Sequence, residues 1–153
     1  MMRRLRTVLL LFLAWFAFYM VQAAMGMALA PKSGFSKAGW IEIDASIAVL
    51  WTALSLVIAA WHLRARRISP NIWALVALHL PLFLAAAWAD AALARWIIPL
   101  LNPAARMNSM WSLISSYSDF DVVSYAAIVA VVEVLIVRRA LAERQRQAMR
   151  LEH

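Results

Sequence analysis

The sequence predicts an all-α membrane protein, a four-helix transmembrane bundle with both termini in the cytoplasm. Three observations predict it. The chain is 65% hydrophobic and 15% charged, where an ordinary soluble domain carries about 45–50% and 25%. Its 153 residues divide into four apolar runs, each roughly the 20 residues that cross a bilayer. Its cations gather near the ends of those runs. Arg3, Arg4, Arg6, Arg64, Arg66, Arg67, Arg138, Arg139, Arg144, Arg146 and Arg150 fall on one side; Lys32, Lys37, Arg95 and Arg106 fall on the other. Eleven against four puts both termini inside by the positive-inside rule, and an even number of spans agrees with that placement.

The first helix is expected over about 5–30, stopping at Pro31. It follows three arginines like a signal peptide, but its apolar run is too long for a typical signal core, so it reads as a retained helix. Its second half (Ala23, Ala24, Met25, Gly26, Met27, Ala28) is slim, and small residues let helices approach closely in lipid. Pro31 to Gly39 has the turn chemistry of a short loop. The second helix is expected over about 40–63, with Glu42 and Asp44 in its first turns, where the helix dipole favours carboxylates. The third is expected over about 72–98, with Pro81 inside it as a kink candidate. Pro99 to Ser118 reads as the longest loop, part of it a short interfacial helix carrying Met107, Met110, Trp111, Leu113 and Ile114. The fourth helix is expected over about 119–137. It continues without Gly or Pro into a charged cytoplasmic extension or linker, 138–150. Residues 1–137 thus form the transmembrane domain. Leu151-Glu152-His153 reads as the start of a cloning-site and polyhistidine tag and is set aside. Trp40, Trp61, Trp73, Trp96 and Trp111 fall near helix ends, as an aromatic belt requires, while Trp15, Trp51 and Trp88 lie deeper and are expected to pack between helices.

Composition also excludes whole classes of chemistry. With no cysteine, there is no disulfide, thiolate metal site or cysteine nucleophile. A net charge of +7 would suggest nucleic acid in a soluble protein; here it is a topology signal, and no nucleic-acid partner is expected. No nucleophile–base pair, Gly-rich phosphate loop or zinc-protease motif is present. No catalytic residue, metal site or cofactor is expected, and the lipid bilayer is the first partner.

Ionisable groups inside hydrocarbon are costly and are functional candidates by default. Glu133 lies roughly 7–8 Å inside the arginine-rich end and His79 roughly 12 Å, at 1.5 Å per residue, so the two are placed to pair as a proton-sensitive or ligand-sensing unit. The competing reading has Glu133 neutral or reaching the arginine-rich surface, and His79 bonded to a carbonyl freed by Pro81. His62, beside Arg64, reads as interfacial. Glu42, Asp44, Asp90, Asp119 and Asp121 form an acidic set at the other end, on three helices. They suit a divalent cation or a cationic peptide, or else cap helix starts in water and pair with Lys32, Lys37, Arg95 and Arg106.

The segment Ser115-Ser116-Tyr117-Ser118-Asp119-Phe120-Asp121-Val122-Val123-Ser124-Tyr125-Ala126-Ala127-Ile128 resembles the last membrane helix of bacterial sensor histidine kinases of the LytTR-partnered class. In these an aromatic–acidic entry leads into an apolar helix with an early Tyr. Trp51 with its apolar run, Arg64-Ala65-Arg66-Arg67, and Ala77-Leu78-His79-Leu80 are similar to the same family, as they are to the anchors of membrane-bound LytTR-type regulators. The resemblance covers about residues 48–150. Val137-Arg138-Arg139-Ala140 departs from the family's Tyr-richer exit, and these residues contain neither a phosphoacceptor His nor an ATP-binding domain. The resemblance implies the sensor and signal-transduction module of a two-component histidine kinase in the bacterial inner membrane. It also implies homodimerisation and a cognate response regulator for the full-length protein. The alternative, from a different class, is a complete small membrane protein serving as a transporter subunit or assembly factor.

Overall fold

A computed structural model describes residues 2–29, 36–69, 71–101, 103 and 109–151. Among these residues there are four helices and no strand: α1 (Met2–Leu29), α2 (Lys37–Ile68), α3 (Ile72–Leu101) and α4 (Met110–Leu151). Each contains a stretch long and apolar enough to cross a membrane, the pattern of a multi-pass membrane protein. Large apolar side chains face outward along all four, among them Leu9, Val49, Val76, Leu84 and Val131, as a lipid-facing surface requires. Most of the loop expected over 31–39, together with Lys32, Arg106 and Met107, lies outside the described residues.

Caps explain where the helices begin and end. The Ser36 hydroxyl accepts from the Gly39 amide at 2.9 Å, satisfying one of the orphan N–H groups of a helix start. α2 then runs past the expected end near 63 to Ile68, so Arg66 and Arg67 form its last turn, where the negative end of the helix dipole favours cations. The Asn71 side chain accepts from the Trp73 amide at 2.9 Å and starts α3. α3 passes through both Pro81 and Pro99 before stopping at Leu101.

The main departure from the sequence reading is the start of α4. The helix expected from 119 begins at Met110, and the proposed interfacial helix is its first turns. Ser109 is the reason: its hydroxyl accepts from the Ser112 amide at 3.2 Å, and its carbonyl accepts from the Leu113 amide at 3.1 Å. From Met110 onward no Gly or Pro interrupts the helix. Serines suggest a loop because their hydroxyls compete for backbone partners; here Ser115 turns its hydroxyl back to the Ser112 carbonyl at 3.0 Å and the helix persists.

The helices run alternately up and down, and α2 packs against each of the other three. Its inward stripe is Ile43, Ile47, Trp51, Ser55, Ile58, His62 and Ala65, steps of three and four residues that keep one face inward. α3 meets it with Ala86, Ala87, Ala91 and Ala94, all buried, and these small side chains allow close approach. α1 contributes Tyr19 and Ala23; of its slim second half, Ala24 and Met25 are exposed. Trp51 is fully enclosed and packs on Trp15 with ring centres 5.5 Å apart. Trp73, Trp96 and Trp111 are exposed near helix ends, where a belt is expected. Trp88 is 60% exposed, so it faces outward and does not pack between helices.

Ser55 ties α1 to α2. It accepts from the Trp15 indole N–H at 2.8 Å and donates to the Trp51 carbonyl at 2.7 Å. Interhelical bonds of this kind average about 0.6 kcal/mol in membranes, whereas emptying a core aromatic site costs about 3–5 kcal/mol. Reversible unfolding in mixed micelles is therefore expected to show Ser55→Ala lowering stability by about 1 kcal/mol or less and Trp51→Ala by several times more. Equal losses would show that packing at Trp51 does not dominate this interface.

Candidate functional site

Polar side chains inside the bundle form two groups, one towards each end. The arginine-rich end holds a chain of hydrogen bonds across three helices. Arg66 of α2 donates from Nη2 to Glu133 Oε2 of α4 at 2.8 Å. Glu133 Oε1 lies 2.8 Å from His62 Nε2, His62 Nδ1 lies 3.0 Å from His79 Nε2 of α3, and His79 Nδ1 lies 2.8 Å from the Tyr125 hydroxyl of α4. His62 and His79 are buried and Glu133 is half-buried, so the chain leads from the exposed Arg66 head into the core.

Glu133 and His79, singled out from the sequence as a possible pair, do not touch. His62 stands between them. The reading of His62 as interfacial is corrected: it is 2% exposed, because it falls on α2's inward stripe while Arg64 turns outward. That three-and-four spacing from Trp51 was the signal available in the sequence. The expected bond from His79 to a carbonyl freed by Pro81 is replaced by its contacts with His62 and Tyr125. Glu133 does reach an arginine, Arg66, as the competing reading had it, and is joined to a histidine at the same time.

The chain admits two complete proton arrangements. With both imidazoles neutral, Tyr125 O–H donates to His79 Nδ1, His79 Nε2–H donates to His62 Nδ1, and His62 Nε2–H donates to Glu133. Every site is filled. One further proton, leaving His62 protonated on both nitrogens, reverses the first two bonds: His62 donates to His79 Nε2, and His79 Nδ1–H donates to the Tyr125 oxygen. The Tyr125 hydroxyl then turns to the His79 carbonyl oxygen, 3.5 Å away, the outer limit of a hydrogen bond. Beside this chain a groove of about 420 Å³ opens between α3 and α4, lined by Leu75, Val76, His79, Phe83, Tyr125 and Glu133 among others.

The acidic set divides in two. Glu42 and Asp119 have exposed side chains. Asp44, Asp90 and Asp121 are 7%, 4% and 2% exposed, so their expected role as water-facing caps is corrected. The α2 register turns Asp44 inward with Ile43 and Ile47, and the early start of α4 places Asp121 well inside that helix. Asp90 and Asp121 adjoin each other, and Tyr19, which the sequence reading did not select, lies within electrostatic reach of all three acids. None of the three forms an ion pair with a described residue. Among the described residues no three His or acidic side chains are drawn into a common metal-binding set.

Comparison with protein-family models, with curated proteins and with solved structures finds no match in any of the three.

If the Glu133–His62 contact links α4 to α2 energetically, a double-mutant cycle on His62→Ala and Glu133→Ala should give a coupling of about 1 kcal/mol in mixed-micelle unfolding. Strictly additive losses would mean the contact contributes nothing beyond its separate parts.

Proposed function

We propose that this chain is the membrane-embedded sensor and signal-transduction module of a bacterial two-component histidine kinase. It lies in the inner membrane with both termini cytoplasmic, and passes a periplasmic or membrane signal through α4 to a cytoplasmic domain of the full-length protein. One observation carries the reading: α4 is a single helix from Met110 to Leu151 whose middle is held to α2 and α3 by the Tyr125–His79–His62–Glu133–Arg66 chain. A helix gripped inside the bundle and continuing beyond it transmits a shift or rotation as a rigid rod. The grip is made of hydrogen bonds with two arrangements, so it supplies the bistable element that a switch requires.

The resemblance of residues 115–128 to the last membrane helix of LytTR-partnered kinases, and the eleven cations gathered at one end, support the class and the orientation. Exposed Val134, Leu135 and Leu141 on α4 offer an apolar surface for a second copy, as a homodimeric kinase needs. The tail is not a regular coiled-coil seam, since Val134, Leu141 and Ala148 recur every seven residues while the alternate positions fall on Val137 and Arg144. The cognate response regulator would act downstream of the kinase domain, and any protein-histidine kinase activity belongs to that domain.

The test is autophosphorylation of the full-length protein in nanodiscs. Glu133→Gln and His79→Ala should each change its rate at least fivefold at unchanged expression and helix content, and His62→Ala should match them. Wild-type rates in all three variants would remove the relay from signalling. A native reading frame that stops at Arg150 would sink the kinase assignment itself. Ion flux through the purified chain in liposomes would favour the transporter alternative.

A further inference from the structure

Among the described residues, Asp90 Oδ1, Asp121 Oδ2, Trp51 Nε1, Ser124 Oγ and Gln22 Nε2 are buried polar atoms with no hydrogen-bond partner. They gather around the acidic end of the bundle. Trp51 is within reach of Asp90, and Tyr19 within reach of Ser124, Asp90 and Asp44. An unpartnered buried polar atom costs about 1–3 kcal/mol, more when charged, and two carboxyl groups side by side away from water need a proton or a cation between them. Against this cluster lies an enclosed cavity of about 140 Å³, lined by Tyr19, Gln22, Trp40, Asp44, Asp90 and Phe120 among others. Asp121 adjoins Asp90. The site is also deep: Asp90 lies roughly 16 Å along α3 from its end at Leu101.

We propose that this cavity binds a small organic monocation, an amine or quaternary ammonium group, held by Asp44 and Asp90 with Asp121 adjoining Asp90 and faced by the rings of Tyr19, Trp40 and Phe120. Three features select that class. The cluster is buried, and Asp90 Oδ1 and Asp121 Oδ2 have no partner there, a lack that a positive ligand would fill. Three aromatic side chains share the walls with Ile43, Ile47 and Ile98, and ring faces attract alkylammonium groups, by about 2 kcal/mol or more where water is excluded. The acids are not drawn into the common oxygen set that a divalent metal ion needs. Size sets the upper limit. One water needs about 10–15 Å³ of such space, and drug-sized ligands occupy about 300–1,000 Å³, so the cavity takes an ammonium head group and not a folded peptide. The inference deepens the sensor reading by giving the stimulus a chemical class, and as a stimulus it rests on that reading; the binding does not.

The experiment is equilibrium binding of radiolabelled choline and ethanolamine to the purified chain in phosphatidylglycerol nanodiscs, with no signalling output involved. Saturable binding is expected, weakened tenfold or more by Asp90→Asn and by Trp40→Leu, with helix content checked by circular dichroism. Trp40 lines the cavity from the end of α2, so that variant decides if Asp90→Asn does not fold. Competition by phosphatidylethanolamine built into the discs would identify the ammonium source as a lipid head group; its absence would identify a soluble amine. The proposal is overturned by no saturable binding, by wild-type affinity in both variants, or by equal displacement with sodium at matched ionic strength. Binding that holds while autophosphorylation ignores the amine would retain the site and remove its role as stimulus.

Discussion

Hydrocarbon offers no hydrogen-bond partner, so every polar group these helices carry below the head groups must be satisfied inside the bundle or remain costly. That constraint decides which faces turn inward. α2 is the least uniformly apolar of the first three helices along its core face, carrying Asp44, Thr52, Ser55 and His62, all buried, and it is the one that touches every other helix. Two of these groups are satisfied partly by α2 itself: Thr52 donates to the Ala48 carbonyl at 2.7 Å and Ser55 to that of Trp51. Ser55 also takes a neighbour, Trp15 of α1, and His62 depends on His79 of α3 and Glu133 of α4. Apolar burial alone could not choose these pairings, because lipid tails are as apolar as leucine.

The two ends of the bundle answer the constraint differently. At the arginine-rich end each member of the Tyr125–His79–His62–Glu133–Arg66 chain has a partner, and the chain closes on an exposed guanidinium that lends Glu133 its counter-charge. Such a network specifies one helix arrangement and makes α4's position depend on α2 and α3. At the acidic end the protein supplies carboxyl groups and leaves several atoms without partners. A bundle selected only for stability would replace Asp90 and Asp121 with alanine or leucine, since uncompensated acids in a low-dielectric interior are costly. Asp90 lines an enclosed cavity with Tyr19, Trp40 and Phe120, the arrangement from which the proposed cation site is argued.

Much of this was legible in the sequence. Four apolar runs and their flanking arginines dictate four helices, and Glu133 and His79 identify themselves because charge in an apolar run is rare. What was not legible came from register and caps. Ser109 begins a helix that the serines and asparagines of 102–118 disguise as a loop, and that earlier start carries Asp121 from a helix mouth into the interior. His62 was hidden by its neighbour: Arg64, two residues on, suggests water, but two residues on a helix are about 200° apart, so one faces out when the other faces in. Tyr19 and Tyr125 carry no signal by themselves. Their roles exist only once three or four helices converge, which a single chain's periodicity cannot express.

The two polar sites are separate in chemistry and adjacent in space. Asp121 and Tyr125 are four residues apart on α4, hence one turn apart on the same face, and both are buried, with Ser124 between them. A cation drawn against Asp90 and Asp121 pulls on α4 one turn from the hydroxyl that ends the histidine chain. Tyr125 is itself wedged between His79 and Phe83, its ring centre 5.7 Å from one and 5.5 Å from the other, so a small displacement of α4 changes which of two acceptors on His79 its hydroxyl can reach. The choice of acceptor sets the His79 tautomer, and the tautomer decides whether His62 must donate to it or accept from it. In the proposed sensor, events in the acidic cavity therefore reach Glu133 and Arg66 through hydrogen bonds already formed between packed helices, with no large movement of the bundle required.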